Sequence, residues 1–488
     1  MKKYQCGQVL PLGLALVVFG LVGALTIYNS GVAATDKMRL ANSADAAAYS
    51  AALWQARALN YQAYANRAMV ANQVAIGQAV SLKSWITYAA VTGENLATAT
   101  KAVPFLNVVT GGIQVATSVA EVGVSAAADV MLLAANAATL ALSLSQDAIN
   151  AATLYNTSEI ISVVARETDG RFTTNSVYGL TNKGLNAIDW LSFNSRYTAT
   201  DREAMKERQE IILASSDDFT RARNWDLFDF WIPSSFITFH KLRRQGETTL
   251  VAVDTDAGME WEWMAKDTLS FHTKTLSFFG SDTLELPVGW ASAFANSRND
   301  SKPLVAQGCN SCERYTRNNH DAERLADRNV NSLAGRQTLK PMRGYGGVRS
   351  FWVLSDRARN AEDARLTIRV EVTLPAQKIS ESNTLINAEN LDAPIVVAGN
   401  VMSSISAADV FYKHPQHYEA PASRQAKANL YNPYWQAQLS PVNAIERNAV
   451  ILTRAEGASP TSVARQSSNT KGLGQYQNSS TLDTGEKQ

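Results

Sequence analysis

The chain has 488 residues, and its 45 basic and 44 acidic side chains leave a formal net charge of +1. This balance gives no electrostatic reason to expect a nucleic-acid partner, because proteins that bind the phosphate backbone concentrate basic charge on one surface. Hydrophobic residues make up 46% of the chain, which is ordinary for a protein that buries a core. The length allows roughly two to four domains.

The N-terminal stretch has the composition of a membrane helix. Lys2 and Lys3 are followed by no other charged residue until Asp36. Residues 9–28 are almost entirely apolar, and at about 1.5 Å per residue they span the roughly 30 Å hydrocarbon core of a bilayer. The two lysines favour a cytoplasmic N-terminus. Residues 1–30 are therefore predicted to form a short cytoplasmic stub and a single transmembrane anchor, with the later chain outside the cytoplasm.

A cleaved signal peptide is the alternative interpretation of the same stretch. Val32, Ala33 and Ala34 precede Thr35 as small residues that fit a cleavage site. The apolar stretch is longer than the roughly 7–15 residues of a usual signal-peptide core, which favours the retained anchor. Cleavage would instead give a secreted protein without an anchor.

Residues 31–170 are rich in alanine and poor in charge, a composition typical of helices. Pro104 and the pair Gly111-Gly112 interrupt the pattern, so we predict two long helices that fold back as a hairpin. Small side chains allow helices to approach closely. The faces are expected to pack within the chain or to form an assembly surface with other subunits or a second copy. A second membrane span at residues 130–146 is a further alternative.

The N-terminal region resembles the TadE/TadG-like family of the Flp (Tad, tight adherence) pilus-assembly system. Three features follow one another in the family's order. They are a short segment with Gly and Gln, an apolar helix with proline, and a segment of the Asp-Ala-Ala-Ala type. The residues that carry the resemblance are Gly7, Gln8, Pro11, Asp36, Leu40 and Asp45. Weaker similarities to larger TadG-like relatives occur at residues 286–290 and 432–439. The resemblance implies a bacterial inner-membrane protein that works with other pilus-assembly or secretion subunits.

Two departures from the family narrow what the resemblance implies. Pseudopilin-type members carry a glutamate five residues after the processed glycine, whereas Leu12 occupies that position after Gly7. An anchored, TadG-like role therefore fits better than a processed pseudopilin. Asp254, Thr255 and Asp256 do not supply the Asp-x-Ser-x-Ser loop of a von Willebrand A-type metal site, so no such site is predicted.

Residues 171–445 are predicted to form an α+β exterior domain with an antiparallel sheet, because alternation and aromatic residues increase there. Residues 266–267 are interpreted as a hairpin connection, and the strand at 364–374 should have one face exposed to water. The predicted strands are 248–254, 259–265, 269–277, 346–354, 364–374 and 394–398, and the predicted helices are 200–215 and 321–333. Residues 446–488 form a polar tail that is expected to be mostly disordered, with clear disorder from about Gly457.

Sequence motifs for catalysis are absent: neither Gly-x-Ser-x-Gly nor a phosphate-binding Gly-x-x-x-x-Gly-Lys-Ser/Thr loop occurs. The strongest chemical candidate is Cys309 and Cys312, for which a disulfide is favoured in an oxidising compartment. Free thiols, a redox pair, or zinc bound together with His414 and His417 are the alternatives. The arginine-rich residues 314–369 could meet anionic lipid or an acidic partner, but nearby acidic residues favour a surface with many ion pairs.

The sequence therefore predicts a membrane-anchored structural component of a Tad/Flp-type pilus assembly or secretion machine, not an enzyme and without a cofactor. Its expected partners are the lipid bilayer, other subunits of the machine and, through the alanine-rich helices, a second copy. An envelope enzyme using the Cys/His set and a receptor that needs a separate output protein are the other classes considered.

Overall fold

The structure, a computed structural model, describes residues 9–233, 237–277, 280–304, 319–329, 335–361, 364–379, 401–413, 427–443 and 447. The chain divides into two compact units. Unit 1 contains Met1–Asn60, Ile149–Asn194 and Leu354–Gln488, and unit 2 contains Tyr61–Ala148 and Ser195–Val353. Two long helices contribute to both units. The domain boundaries predicted from composition stay a prediction.

These two helices are α1 (Val9–Ala99) and α2 (Pro104–Thr168). Pro104 begins α2, where its missing N–H is not needed by the helix and its fixed φ suits the first turn. The break expected at Gly111-Gly112 is absent, because α2 continues through both glycines. A glycine within a helix costs only about 1 kcal/mol, which is too little to end a helix of 65 residues.

Within unit 2, α1 and α2 contact each other in antiparallel order. The Thr100 and Thr110 hydroxyls lie 2.7 Å apart beside the short connection. Further along both helices, Lys83 donates to both carboxylate oxygens of Asp129 at 2.7 and 2.8 Å. The pairing of an earlier α1 residue with a later α2 residue shows that the two helices run in opposite directions here.

Unit 1 combines the beginning of α1 and the end of α2 with helices α3 (Val177–Phe193) and α7 (Asp356–Asn360) and a three-stranded antiparallel sheet. The strands β8 (Arg365–Pro375), β9 (Val401–Tyr412) and β10 (Trp435–Ser440) are ordered β10-β9-β8. The hydrophobic core gathers alanines and leucines of α1, Trp190 of α3, the apolar face of β8, and Trp435 of β10.

The strand predicted at 364–374 is confirmed as β8, but its expected water-exposed face is only half correct. Arg365, Thr367 and Arg369 alternate with buried residues as expected. Glu371 and Thr373, however, are 1% and 2% exposed. The segment before α3 covers them: the Thr173 and Thr373 backbones bond to each other, and Ser176 donates to the Glu371 carboxylate.

Unit 2 is built on a five-stranded sheet of order β2-β3-β4-β5-β6. Strands β2 to β5 pair antiparallel with one another, and β6 runs parallel to β5. The strands are β2 (Trp225–Pro233), β3 (Ile237–Thr255), β4 (Gly258–Ser277), β5 (Gly280–Asn296) and β6 (Leu339–Pro341). A two-stranded sheet pairs β1 (Asn194–Tyr197) with β7 (Phe351–Leu354).

The hairpin connection predicted at Lys266-Asp267 is wrong. Both residues lie inside β4, which pairs without a turn from Gly258 to Ser277. The actual turn joins Thr255 to Gly258, whose φ of +124° is a conformation that glycine adopts easily. Two consecutive charges resembled a turn in the sequence, but both side chains are buried against partners of opposite charge.

The strand predicted at 248–254 lies within β3, and those predicted at 259–265 and 269–277 are both parts of β4. The helix predicted at 200–215 is confirmed as α4 (Arg202–Ala214), which is followed by the short α5 (Asp218–Arg221). The helix predicted at 321–333 is α6 (His320–Asp327), which ends earlier than predicted. Only the end of the strand predicted at 346–354 is extended, as β7.

The coarse fold prediction, helices combined with antiparallel sheets, is thus confirmed. Residues 394–398, predicted as a strand, lie outside the described residues. The same holds for the tail predicted to be disordered, of which only Arg447 is described.

Candidate membrane anchor and its junction with unit 1

The first turns of α1 expose apolar side chains in every direction. Leu16, Val17, Val18 and Phe19 are 65%, 61%, 46% and 76% exposed. Since consecutive helix residues point about 100° apart, four exposed neighbours cover the whole circumference. A helix that packed one face on a protein core would bury part of such a set.

This exposed stretch near the N-terminus is long and apolar enough to cross a membrane. None of its most apolar 18 residues is buried. A signal sequence meets the same criteria of length and composition. Burying large apolar side chains is favourable by about 1.5–3 kcal/mol each, so the exposed stretch needs an apolar environment. Pro11 is exposed in the first turn of α1, where proline is tolerated, while Gly7 and Gln8 lie outside the described residues.

Beyond the apolar stretch, α1 joins the core of unit 1 at a buried ionic group. Asp36 is only 2% exposed and accepts two hydrogen bonds from Arg171, at 2.9 Å from Nη2 to Oδ1 and 3.2 Å from Nη1 to Oδ2. Arg171 also donates from Nη2 to Asp169 at 2.7 Å and from Nη1 to the Lys378 carbonyl at 3.0 Å. A single guanidinium therefore joins α1, the chain after α2, and the chain after β8.

The charges in this group reinforce one another. Hydrogen bonding from Arg171 lowers the pKa of Asp169 below its usual range. Hydrogen bonds to Asp169 and Asp36 in turn raise the pKa of Arg171. Because Arg171 bonds both carboxylates and a backbone carbonyl at once, the arrangement fits a structural clamp.

The segment that follows Asp36 packs a face of small residues into the core of unit 1. The two other family-motif residues of this segment differ in placement: Leu40 is buried, whereas Asp45 is exposed. The buried positions recur every three or four residues, as one face of a helix requires. They are Leu40, Ala44, Ala47, Ala48, Ala51, Ala52, Ala56 and Leu59.

Enlarging one of these alanines should disturb unit 1. Ala48 is 0% exposed, so Ala48→Leu adds three carbons to a filled core and should lower the free energy of unfolding by about 1–3 kcal/mol. Ala46→Leu is the matched control, since Ala46 is exposed on the same helix turn. Thermal unfolding of the detergent-solubilised full chain measures the difference, and equal melting temperatures would show that this face does not pack.

Unit 2 holds a second, more deeply buried ionic group. Asp267 is 0% exposed and accepts from Arg223 Nε at 2.8 Å, from Arg244 Nη2 at 2.9 Å and from the Ser84 hydroxyl at 2.7 Å. Arg244 also lies over the Tyr88 ring at 4.9 Å. This group joins α1 to β3, to β4 and to the loop before β2. Nothing in the sequence pattern indicated it.

The sequence predicted a disulfide at Cys309 and Cys312 and, as an alternative, a zinc site that adds His414 and His417. All four residues lie outside the described residues, so both interpretations stay predictions. Within the described part of the chain, no group of three or more His, Cys, Asp or Glu side chains is placed to hold a metal ion.

The arginine-rich region forms ion pairs, as its composition predicted, but not all of them are at the surface. Arg324 pairs with Asp321 at 3.6 Å, and both side chains are more than half exposed. Arg336, by contrast, donates to Glu94 and Glu121, which are 7% and 6% exposed. Within unit 2, this arginine therefore joins the last turns of α1 and the first part of α2 to the chain that precedes β6.

A cleft of about 300 Å³ in unit 1 does not resemble a catalytic site. Arg357, Arg365 and Arg369 line it together with Asp189. Arg369 is paired with Asp189 at 2.8 Å, and Arg365 with Asp409 at 3.4 Å. Its described lining contains no histidine or cysteine, so it shows no pairing of a nucleophile with a histidine base.

Comparison with known proteins gives one match, to the segment that contains the candidate anchor and the buried group around Asp36. No curated protein and no solved structure matches the chain. A match to a family model covers residues 7–57, the stretch from the predicted family motif through the alanine face that packs into unit 1. Over these residues the chain matches the Flp pilus-assembly TadE/G-like family, which confirms the resemblance predicted from the N-terminal motif.

Proposed function

We propose that this chain is a membrane-anchored structural component of a Tad/Flp-type pilus assembly or secretion machine. The observation that carries the proposal is the coincidence of the family match over residues 7–57 with an apolar helix exposed on every side. The family that matches this segment is a pilus-assembly family.

In this proposal residues 9–28 cross the bacterial inner membrane once. Lys2 and Lys3 remain in the cytoplasm by the positive-inside rule, and the parts of both units that follow the anchor lie in the periplasm or outside the cell. The bilayer is then the first partner, and the other subunits of the pilus or secretion machine contact the exterior units. The helices that follow the anchor add self-association with a second copy.

The junction at Asp36 has a mechanical role in this arrangement. α1 continues without interruption from the anchor into unit 1, where Arg171 clamps it to two other chain segments. A continuous helix with a clamped base transmits position from the bilayer to unit 1 better than a flexible linker. An assembly component requires such a defined placement of its exterior surface.

The proposal is tested first on the full chain in membranes. We expect the protein to stay in the membrane fraction after alkaline extraction, and its intact mass to correspond to a start at Met1. Val18→Lys combined with Leu21→Lys should release it, since each charge at the centre of a membrane helix costs about 2.5–3.5 kcal/mol on insertion scales. Asn29→Lys, at the end of the stretch, is the control and should remain in the membrane.

Cellular function provides the second measurement. Deleting the chain from its native cell should abolish surface pili, and the full chain should restore them whereas the double-lysine variant should not. A mature protein beginning at Gln8 would indicate a processed pseudopilin instead, and one beginning at Thr35 a secreted protein. Normal piliation after deletion would contradict the proposed function.

A further inference from the structure

Helix α2 is inverted relative to an ordinary surface helix: its polar side faces inward and its apolar side faces solvent. We define the outer face of α2 by the exposed positions around Val119, all within unit 2. These are Val108, Gly112, Val115, Val119, Val122, Ala126, Val130, Leu133, Ala137, Leu140 and Leu144. They recur at spacings of three and four residues, so they lie along one side of the helix.

The exposure of the outer face is large and continuous. Val108, Val119, Val122 and Val130 are 75%, 69%, 74% and 66% exposed, and Leu144 is 59% exposed. The face contains no polar or charged side chain. Monomeric proteins rarely leave contiguous apolar patches of more than a few hundred Å² in water.

The opposite face of α2 explains why the helix has this orientation. Glu121, Thr139, Ser143 and Gln146 are all between 0% and 6% exposed. Ser143 donates to the Ser350 carbonyl at 2.7 Å, and the other inward residues also have partners within unit 2. The polar side chains are therefore satisfied inside, and turning the helix over would leave buried partners such as the Ser350 carbonyl without their donors.

The outer face is poorly suited to contact with a lipid bilayer, although α2 is long and apolar enough to cross a membrane by composition. From Val108 to Leu144 the face is about 55 Å long at 1.5 Å per residue, well beyond the roughly 30 Å hydrocarbon core. Its inward side is bonded to non-helical chain such as Ser350 and Gly346, which would have to enter the bilayer with it.

The absence of charge also argues against several other occupants. No lysine or arginine occurs between Pro104 and Arg166, so α2 lacks the basic residues by which interfacial helices bind anionic headgroups. A charged partner would find no complementary group on the outer face. A second, equally uncharged helix surface is the complementary match, and an identical copy of the same face supplies it.

The area of the outer face and the volumes of its side chains also suit packing against a second copy. A strip about 55 Å long and about 10–12 Å wide covers roughly 600 Å², close to the ~800 Å² per partner of a stable interface. Gly112, Ala126 and Ala137 alternate along it with valines and leucines. Small residues at intervals let two helices approach closely, while the larger ones interdigitate.

We infer that the outer face of α2 is the dimer interface between two copies of this chain. The proposed function includes self-association, and this inference names the surface that would form it. It rests on the proposed function only in placing the dimer at the membrane. The two outer faces pack against each other about a twofold axis, so each residue of the strip lies near the strip of the other copy.

Site-specific photo-cross-linking in membranes tests the inference on the full chain. p-Benzoylphenylalanine at Val122 or Val130 should give a product of twice the chain mass, which peptide mass spectrometry identifies as two copies joined through α2. The same amino acid at Glu210, exposed on α4, is the control and should give none. Val119→Lys with Val122→Lys, combined with the probe at Val130, should lower the cross-linked fraction by at least about tenfold, equivalent to about 1.4 kcal/mol.

The lysine variant should keep its circular dichroism spectrum and its melting temperature, because both valines are exposed. Cross-links only to lipid or to a different protein would overturn the inference, and so would a dimer that survives the two lysines unchanged. Membrane extraction of the same samples separates the two proposals. A dimer without an anchor would contradict the proposed function alone, and an anchored monomer would contradict the dimer alone.

Discussion

Replacing Asp267 by alanine should abolish the cooperative folding of unit 2. The change leaves Arg223 and Arg244 buried, at 2% and 7% side-chain exposure, without the carboxylate that both contact. Removing one partner from a buried ion pair costs about 3–5 kcal/mol, and two guanidiniums depend on Asp267. Since a whole domain is stable by only about 5–15 kcal/mol, we expect unit 2 to be largely unfolded near physiological temperature.

Limited proteolysis of the detergent-solubilised full chain measures this effect, because fragments assigned by mass report on each unit separately. Cleavage should appear first within Ser195–Val353. Asp218→Ala is the matched control: Asp218 is fully exposed and pairs with Arg221 only at 3.6 Å, so its removal should cost less than about 1 kcal/mol. A protease-resistant Asp267→Ala protein would show that the buried group is dispensable.

Replacing Asp36 by alanine should have the second-largest effect and should loosen the junction between α1 and unit 1. Arg171 loses two hydrogen bonds but keeps those to Asp169 and to the Lys378 carbonyl. Its side chain is 27% exposed, so water can partly replace the lost carboxylate. We therefore expect a loss of about 2–3 kcal/mol, somewhat below the range for a fully buried pair.

Asp45→Ala provides a control within the same family-matched segment. Asp45 belongs to the Asp-Ala-Ala-Ala run but is exposed, and its replacement should change the unfolding free energy by less than about 0.5 kcal/mol. Thermal unfolding and pilus formation should both decline for Asp36→Ala. If Asp45→Ala lowered piliation with an unchanged melting temperature, the exposed aspartate would be a contact for another subunit instead.

Much of the secondary structure could be predicted because it depends on neighbouring residues. Alanine-rich composition predicted the long helices, and alternation in residues 364–374 predicted β8. Lys266 and Asp267 were misinterpreted because a local pattern does not show which charges are buried. Their partners, Asp327 for the lysine and Arg223 with Arg244 for the aspartate, are 23 to 61 residues away in the sequence.

At the candidate site, too, the sequence predicted what depends on neighbouring residues but not what depends on distant contacts. The motif predicted Asp36 as a family residue, but Arg171, its partner 135 residues later, carried no local signal. Likewise, nothing in the sequence separated the buried Asp36 from the exposed Asp45, although both follow the apolar stretch on one helix. Burial depends on which side of α1 meets the other chain segments.

By itself, the sequence determined the apolar N-terminal helix, the family resemblance over its first residues and the succession of helices followed by strands. These follow from composition and from spacing along a single element. Only the tertiary structure decided that α2 turns Glu121 inward and Val122 outward. The physical reason is that buried polar groups require hydrogen-bond partners, and for Glu121 and Ser143 these come from segments distant in the sequence.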